Sequence, residues 1–337
     1  MLRFDTIKIA FPTLFLETVN YSTFTAFPSR KHVDRLNYCL ANPCPGIIYI
    51  RIGDTETAIE FSAKILKAEY PQLLSTNTIR KALANIRTAF PGTFPVEEVL
   101  RVAHVLKAHQ TQDFALTRPF ADYASPLAGL HVSRDYRLVS YKDETLTFLQ
   151  NATGRDREFL KLYDKAKEYA RPANAAYRAT LGAAEKQTVA AYYGDKVRAE
   201  TELNGKRKLR QYFPDIPTAI MLTDLLNSTS NPLASQFAEI TSQAYAAIDS
   251  PASARALAFA DTLSHKDAPQ FSFLKEHGFD LEKIDARLKA LNVAKATQCR
   301  ERKKYAALLA SYLAHETDSP SVEALRELKA AISAPAL

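Results

Sequence analysis

IIYIRIGDTETAIEF, residues 47–61, reads as two strands folded back on each other. Isoleucine and tyrosine crowd the first run, Ile47–Ile52, and threonine, isoleucine and phenylalanine mark the second, Thr57–Phe61. Such residues fit a pleated, half-buried surface. Gly53-Asp54 stands between them as the turn, so an antiparallel hairpin is expected. Upstream, Phe4–Phe11 alternates, with Asp5, Ile7 and Ile9 on one face and Thr6, Lys8 and Ala10 on the other. Downstream, Ile79, Leu83 and Ile86 set a helical spacing over Ser75–Phe90. Pro91-Gly92 and Pro95 stop that helix, and Val96–Val102 starts another. Val105–Leu116, Leu130–Val139, Glu158–Tyr163 and Val197–Leu203 then read as strands, with a helix beginning over Lys165–Arg171.

Past residue 210 the pattern changes. Phe213-Pro214-Asp215-Ile216-Pro217 is a break, and the rest of the chain has helical spacing only: Ala219–Leu226, Leu233–Ile248, Ser253–Leu263, Leu281–Leu291, Arg300–Ala314 and Ser321–Ile332. The expected architecture is α+β. Residues 1–210 form an antiparallel sheet with helices on one face and the functional site on the open face, and residues 211–337 form a mainly helical C-terminal domain.

Composition narrows the function. Of 337 residues, 47% are hydrophobic and 24% charged, which supports a folded core. Only 9 glycines are present, and neither a P-loop nor a dinucleotide-binding glycine fingerprint occurs. A nucleotide-driven motor is thereby disfavoured. The net charge of +7 favours a polyanionic partner, nucleic acid first. No apolar run approaches the ~20 residues of a membrane span, and the opening MLRFDTIKIAFP lacks a cleavable signal pattern. The three cysteines, Cys39, Cys44 and Cys299, suggest a reducing compartment without a disulfide framework, and hence a cytoplasmic setting.

Four stretches carry chemistry. Phe159, Lys161, Tyr163 and Lys165 share one face if their strand runs that far, which sets a tyrosine between two lysines. Neighbouring ammonium groups favour a phenolate and can hold a phosphate. The same pattern also describes a half-exposed tyrosine between solvated lysines. His109, Thr111 and Asp113 share a strand face, as do Glu200 and Glu202, and oxygen-rich faces of this kind suit a divalent ion or simply a hydrogen-bonded polar surface. Lys206-Arg207-Lys208-Leu209-Arg210 follows the glutamates, and Arg300-Glu301-Arg302-Lys303-Lys304 marks a C-terminal helix. Such clusters grip phosphates without reading sequence.

In this order (H-x-T-x-D-F at 109–114, L-Y-D-K-x-x-E at 162–168, R-x-E-x-E-L at 198–203, then basic residues) the chain resembles the replication initiators of filamentous phages and related plasmids, the gene II/X type. The resemblance spans roughly residues 1–235. It also rests on Phe4-Asp5-Thr6-Ile7-Lys8-Ile9, on residues 59–66 and on residues 225–232. It implies a rolling-circle nicking and joining enzyme of a bacterial host cell, working on a double-stranded origin and the displaced single strand beside host helicase and polymerase. Tyr163 would be the nucleophile and Lys165 its helper. Asp113, Glu200, His109 and Glu202 would be ligands for Mg2+ or Mn2+. Lys161, Arg198, Lys206, Arg207, Lys208 and Arg210 would contact DNA, and the helices of residues 211–337 would help hold or recognise the origin duplex. His109 stands where that family usually has an acid, and the scattered His104, His109 and His131 form no His-hydrophobe-His motif. Tyr141, followed by Lys142, competes as nucleophile. Two alternatives remain: a non-enzymatic origin-binding or regulatory protein, and a tyrosine recombinase, which would need an arginine pair with an intervening histidine that the chain does not show.

Overall fold

The computed structural model describes residues 2–28, 36–41, 44–128, 133–142, 144–151, 159–216, 219–249, 251–315 and 320–334. The first half contains β1 (Phe4–Pro12), β2 (Thr18–Val19), β3 (Phe24–Pro28), β4 (Leu36–Leu40), β5 (Ile47–Ile52), β6 (Glu56–Ser62), α1 (Ile79–Ala89), β7 (Gly92–Thr93), α2 (Val96–Val102) and β8 (His104–Ala115). There follow α3 (Ala121–Ala128), β9 (Tyr136–Tyr141), β10 (Thr145–Gln150), β11 (Phe159–Asp164), α4 (Lys165–Ala170), α5 (Ala175–Ala179), α6 (Ala183–Tyr193) and β12 (Lys196–Asn204). The remainder is helical: α7 (Lys206–Tyr212), α8 (Leu222–Asn227), α9 (Pro232–Asp249), α10 (Pro251–Ala260), α11 (Ala268–Glu276), α12 (Leu281–Ala290), α13 (Lys295–Leu313) and α14 (Pro320–Ser333).

The hairpin at residues 47–61 forms as its sequence requires. β5 and β6 pair antiparallel, with Ile50 opposite Ile59, and the Gly53 N–H closes the turn on the Glu56 carbonyl at 3.0 Å. This hairpin belongs to a ten-stranded sheet of order β3-β4-β5-β6-β1-β8-β12-β11-β10-β9. Neighbouring strands in it are antiparallel. The long β8 lies between β1 and β12 and joins the N-terminal and C-terminal halves of the sheet.

Two cores lie under one face. In the first, Ile7, Ile9, Phe11, Ile59 and Phe61 meet Ile79, Leu83 and Ile86 of α1 and Leu222 and Leu225 of α8. In the second, Leu146, Phe148, Leu160, Leu162 and Ala199 meet Leu233, Phe237 and Ile240 of α9 and Leu325 and Leu328 of α14. Full burial of each leucine, isoleucine or phenylalanine here contributes about 1.5–3 kcal/mol. Polar groups fix the register of this docking. Gln110 donates to Asn231 at 2.9 Å and accepts from the Leu233 N–H at 2.7 Å, while Gln112 donates to the Ala331 carbonyl at 3.0 Å. The end of the β-structure near residue 210 is therefore not the end of the sheet's core, because α8, α9 and α14 complete it. A third core (Phe259, Phe271, Leu274, Ile284, Leu288, Tyr305, Tyr312) contains no strand residue and belongs to α10–α13. Of the expected strand Leu130–Val139, Tyr136–Val139 lies in β9, and residues 130–132 lie outside the described residues. No helix among the described residues is long and apolar enough to cross a membrane.

The expectation of helices on one face only needs correction. Arg198 alternates with Val197 and Ala199, so it points away from α9 and α14. It does not meet solvent there. Tyr70, on the 3-10 segment Ala63–Gln72, and Tyr193, at the end of α6, close over its guanidinium. The second face is covered at this end by that segment and by α4–α6.

Candidate active site

The strand register builds the site. Tyr163 of β11 lies opposite Arg198 of β12, and Arg198 lies opposite Asp113 of β8. One step along the same face, Glu200 lies opposite Lys161 and Thr111, and Glu202 lies opposite Phe159 and His109. Alternation alone is enough to bring these residues onto one face.

Arg198 is the hub and is fully buried. Its Nε and Nη2 donate to the two carboxylate oxygens of Asp113 at 2.5 and 2.8 Å. Its Nη1 donates to Asp5 Oδ1 and to Tyr70 Oη, both at 2.9 Å, and lies 3.9 Å from Glu200 Oε1. Asp5 reaches this cluster because the pairing of β1 with β8 shifts register between Phe4 and Thr6. Strict alternation put Asp5 beside Ile7 and Ile9. The extra residue of the bulge turns it instead toward Arg198. Burial alone would raise the Asp5 carboxyl's pKa, but Arg198, Lys165 and the Tyr70 hydrogen bond outweigh it and hold that pKa low. Tyr70 donates to Asp5 Oδ1 at 2.7 Å. It is flanked by two non-glycine residues in left-handed backbone conformation, Lys67 (φ 54°) and Leu73 (φ 58°). Such residues cost of order 1–3 kcal/mol each and cluster at functional sites.

Tyr163 donates to Glu200 Oε1 at 2.6 Å. Burial, and then the charge of Asp5, raise the Glu200 carboxyl above its ordinary pKa. Burial, and then the Glu200 charge, push the Tyr163 phenol up as well. Lys165 is not on the same strand face as Tyr163. Asp164 caps α4 by accepting from the Lys167 N–H at 3.0 Å, which ends the strand and makes Lys165 the first helical residue. From there its ammonium donates to Glu168 at 2.6 Å and to Tyr70 Oη at 3.1 Å. It also lies 5.6 Å from the centre of the Tyr163 ring. Burial, helped by Arg198, lowers its pKa.

The four expected metal ligands do not form one donor set. Asp113 is held at both oxygens by Arg198, and Glu200 accepts from Tyr163. Glu202 lies 3.0 Å from Lys107 and 3.3 Å from His109. Burial would raise Glu202, but His109 and Lys107 outweigh it and bring its carboxyl to about 2. Among the described residues, no group of three or more His, Cys, Asp or Glu side chains is placed to hold a metal ion. His131 lies outside the described residues.

The residues expected to contact DNA divide similarly. Arg198 is buried by its carboxylates and Lys208 by the packing of α7, whereas Lys206, Arg207 and Arg210 are exposed and Lys161 is half-buried with its ammonium over Phe159. Tyr141 is 56% exposed and stands in the same cross-strand row as Tyr163, with Thr145 between them, about 10 Å away. The sequence reading quoted Asp5 and Glu168 within its motifs but gave them no role, and it missed Tyr70 and Tyr193. The signal available for Asp5 was a carboxylate read onto the same face as Ile7 and Ile9. No known protein-family model matches the chain, and no curated protein matches it.

Proposed function

We propose that the protein is a DNA strand-nicking and strand-joining enzyme of the rolling-circle initiator type, with Tyr163 as its nucleophile. The observation that carries this reading is the 2.6 Å hydrogen bond from the Tyr163 phenol to Glu200, a largely buried carboxylate of raised pKa, beside two buried cations. A phenol is a weak nucleophile until a base takes its proton, and a base is better matched to that task as its pKa rises. Of the three tyrosines around Lys165 and Arg198, Tyr70 and Tyr193 are 2% and 0% exposed while Tyr163 is 8% exposed, so Tyr163 is the best placed to meet a polymer.

In the proposed step Tyr163 Oη attacks the scissile phosphorus and its proton passes to Glu200. The bond to O3′ breaks, and that oxygen leaves as a 3′-hydroxyl after taking up a proton. Lys165, whose ammonium burial makes more acidic, is suited to supply that proton. Arg198 offsets the charge developing on the phenolate. The phosphotyrosine keeps the bond energy, so joining is the reverse attack by a 3′-hydroxyl and needs no nucleotide. The resemblance also implies a divalent ion, but the residues present do not fit one as arranged, and no step is routed through it.

The test is adduct mapping. The protein is incubated with supercoiled DNA carrying its own replicon's origin, with Mg2+ or Mn2+ and with chelator, digested, and examined by mass spectrometry. A nucleotide on Tyr163, absent in Tyr163→Phe, is the expected result. An adduct on Tyr141 keeps the reaction and moves the nucleophile. Tight binding without nicking or adduct leaves an origin-binding protein.

A further inference from the structure

The chain's positive charge is concentrated far from Tyr163 in sequence. Residues 281–304 hold eight lysines and arginines against three acids, a net +5 of the chain's +7. In the structure these residues form α12 and the first half of α13, packed on each other through Ile284, Leu288 and Tyr305. Asp285 is taken up by Arg302 at 2.8 Å and Glu301 by Lys304 at 3.0 Å. Among the described residues, Arg287, Lys289, Lys295, Arg300 and Lys303 have no acidic partner, and all five are exposed. The sheet face is the contrast, because Lys8 and Lys107 there are matched by Glu60 and Glu202.

We infer that the exposed cations of α12 and α13 form a docking surface for the backbone of double-stranded nucleic acid, gripped without regard to sequence. Charge complementarity points to a polyanion. A membrane is disfavoured because the large exposed apolar residues of these helices and their connection are Leu291 and Leu313, too few for an apolar stripe. A single strand is disfavoured because it is held by aromatic stacking, and Tyr305 and Tyr312 are buried in the third core. Phosphates of a duplex need only cations. This surface deepens the proposed function by supplying the duplex grip that an origin nickase requires. Its test reads binding alone, so it can fail while adduct formation on Tyr163 stands, and the reverse.

The experiment uses the full chain and a fluorescent duplex of unrelated sequence, titrated at increasing KCl. Wild type is compared with a variant carrying glutamine at 287, 289, 295, 300 and 303. A charge-matched control carries glutamine in place of the exposed Arg87, Arg101, Arg134, Arg137 and Lys186. Each neutralised phosphate contributes roughly 0.9 to the slope of log affinity against log salt, so five lost contacts flatten it by about 4.5. The expected result is that flattening with at least a hundredfold loss of affinity at low salt, and a loss of under tenfold in the control. Equal losses in both variants would reduce the effect to net charge and overturn the inference. Unchanged duplex binding would overturn it too, as would loss confined to single strands or to phosphatidylserine vesicles. Circular dichroism checks folding. Should the fivefold variant not fold, Arg300→Glu with Lys303→Glu applies the same criterion at two exposed positions.

Discussion

Replacing Arg198 by methionine tests the centre of the site. Methionine keeps the apolar stem as far as about Nε, so the variant removes the guanidinium itself, and the loss is mainly electrostatic. The guanidinium supplies four hydrogen bonds to Asp113, Asp5 and Tyr70 within 2.9 Å. Adding these at about 1.5–3 kcal/mol each would overshoot, because they share one desolvation cost. The relevant quantity is the penalty for stranding buried carboxylates, about 3–5 kcal/mol when one partner of a buried pair is removed. The Asp113 side chain is 2% exposed and has both oxygens bonded to Arg198. Urea unfolding should therefore lose about 3–5 kcal/mol at pH 7. Far-UV circular dichroism is the suitable probe, since the chain has no tryptophan. The same cause has two further consequences. Adding Asp113→Leu should recover at least half the loss, because no charge is then stranded there. The deficit of the single variant should also narrow as pH falls, because the stranded carboxyl takes up a proton. A loss below about 1 kcal/mol in a folded variant, or a double variant less stable than the single one, would refute the reasoning.

Glu202 makes stability pH-dependent. Its carboxyl moves from the ordinary 4.5 in the unfolded chain to about 2, so its contribution is complete above 4.5 and is lost as pH falls from there toward 2. At 1.36 kcal/mol per unit this is about 3 kcal/mol, and acid titration of Glu202→Gln should lack that part of the slope. Nicking should have an acidic limb, rising as Glu200 gives up its proton above the normal carboxylate range, and Glu200→Gln should lose the rate while still binding duplex. Gly46→Ala should cost more than about 1 kcal/mol in thermal or urea unfolding. Gly46 has φ of +95°, and a Cβ there would lie 2.6 Å from the Ile65 nitrogen.

The sheet was legible because its information is local. Period-two alternation and one Gly-Asp turn located β1, β5, β6, β8, β11 and β12 to within a residue or two, and these strands carry Tyr163, Asp113, Arg198, Glu200 and Glu202. Strand order was not legible, and the site depends on it. Arg198 meets Asp113 because β12 pairs with β8 across some 80 residues of chain, and no local pattern encodes that pairing. The cover over the site was missed for a different reason. Helix α6 buries little beyond Val189 and Tyr193, so its sequence shows almost no apolar stripe. Tyr70 sits on a 3-10 segment with a non-helical residue inside it, which no helical or strand period describes. The helix starting at Lys165 was legible, but the shared face with Tyr163 required the strand to run on through Lys165, and the capping Asp164 ends it first.

The arrangement separates three buried carboxylates that share one neighbourhood. Asp113 has both oxygens taken up by the Arg198 guanidinium, and Asp5 is held as an anion chiefly by Arg198 against the effect of its burial. Glu200 lies at 3.9 Å from the same guanidinium, beyond a direct hydrogen bond, and feels burial and the Asp5 charge more than it feels Arg198. Arg198 thus gives its carboxylate hydrogen bonds to the two aspartates and Lys165 gives its own to Glu168 and Tyr70, which leaves Glu200 without a direct cation partner. A purely structural cluster gains nothing from that asymmetry, because a satisfied glutamate would be more stable there. A phenol that must surrender its proton does gain from it, because the neighbouring base then sits closer in pKa to the task. The division of Arg198 between its partners, more than the presence of a tyrosine among lysines, is what favours chemistry at Tyr163.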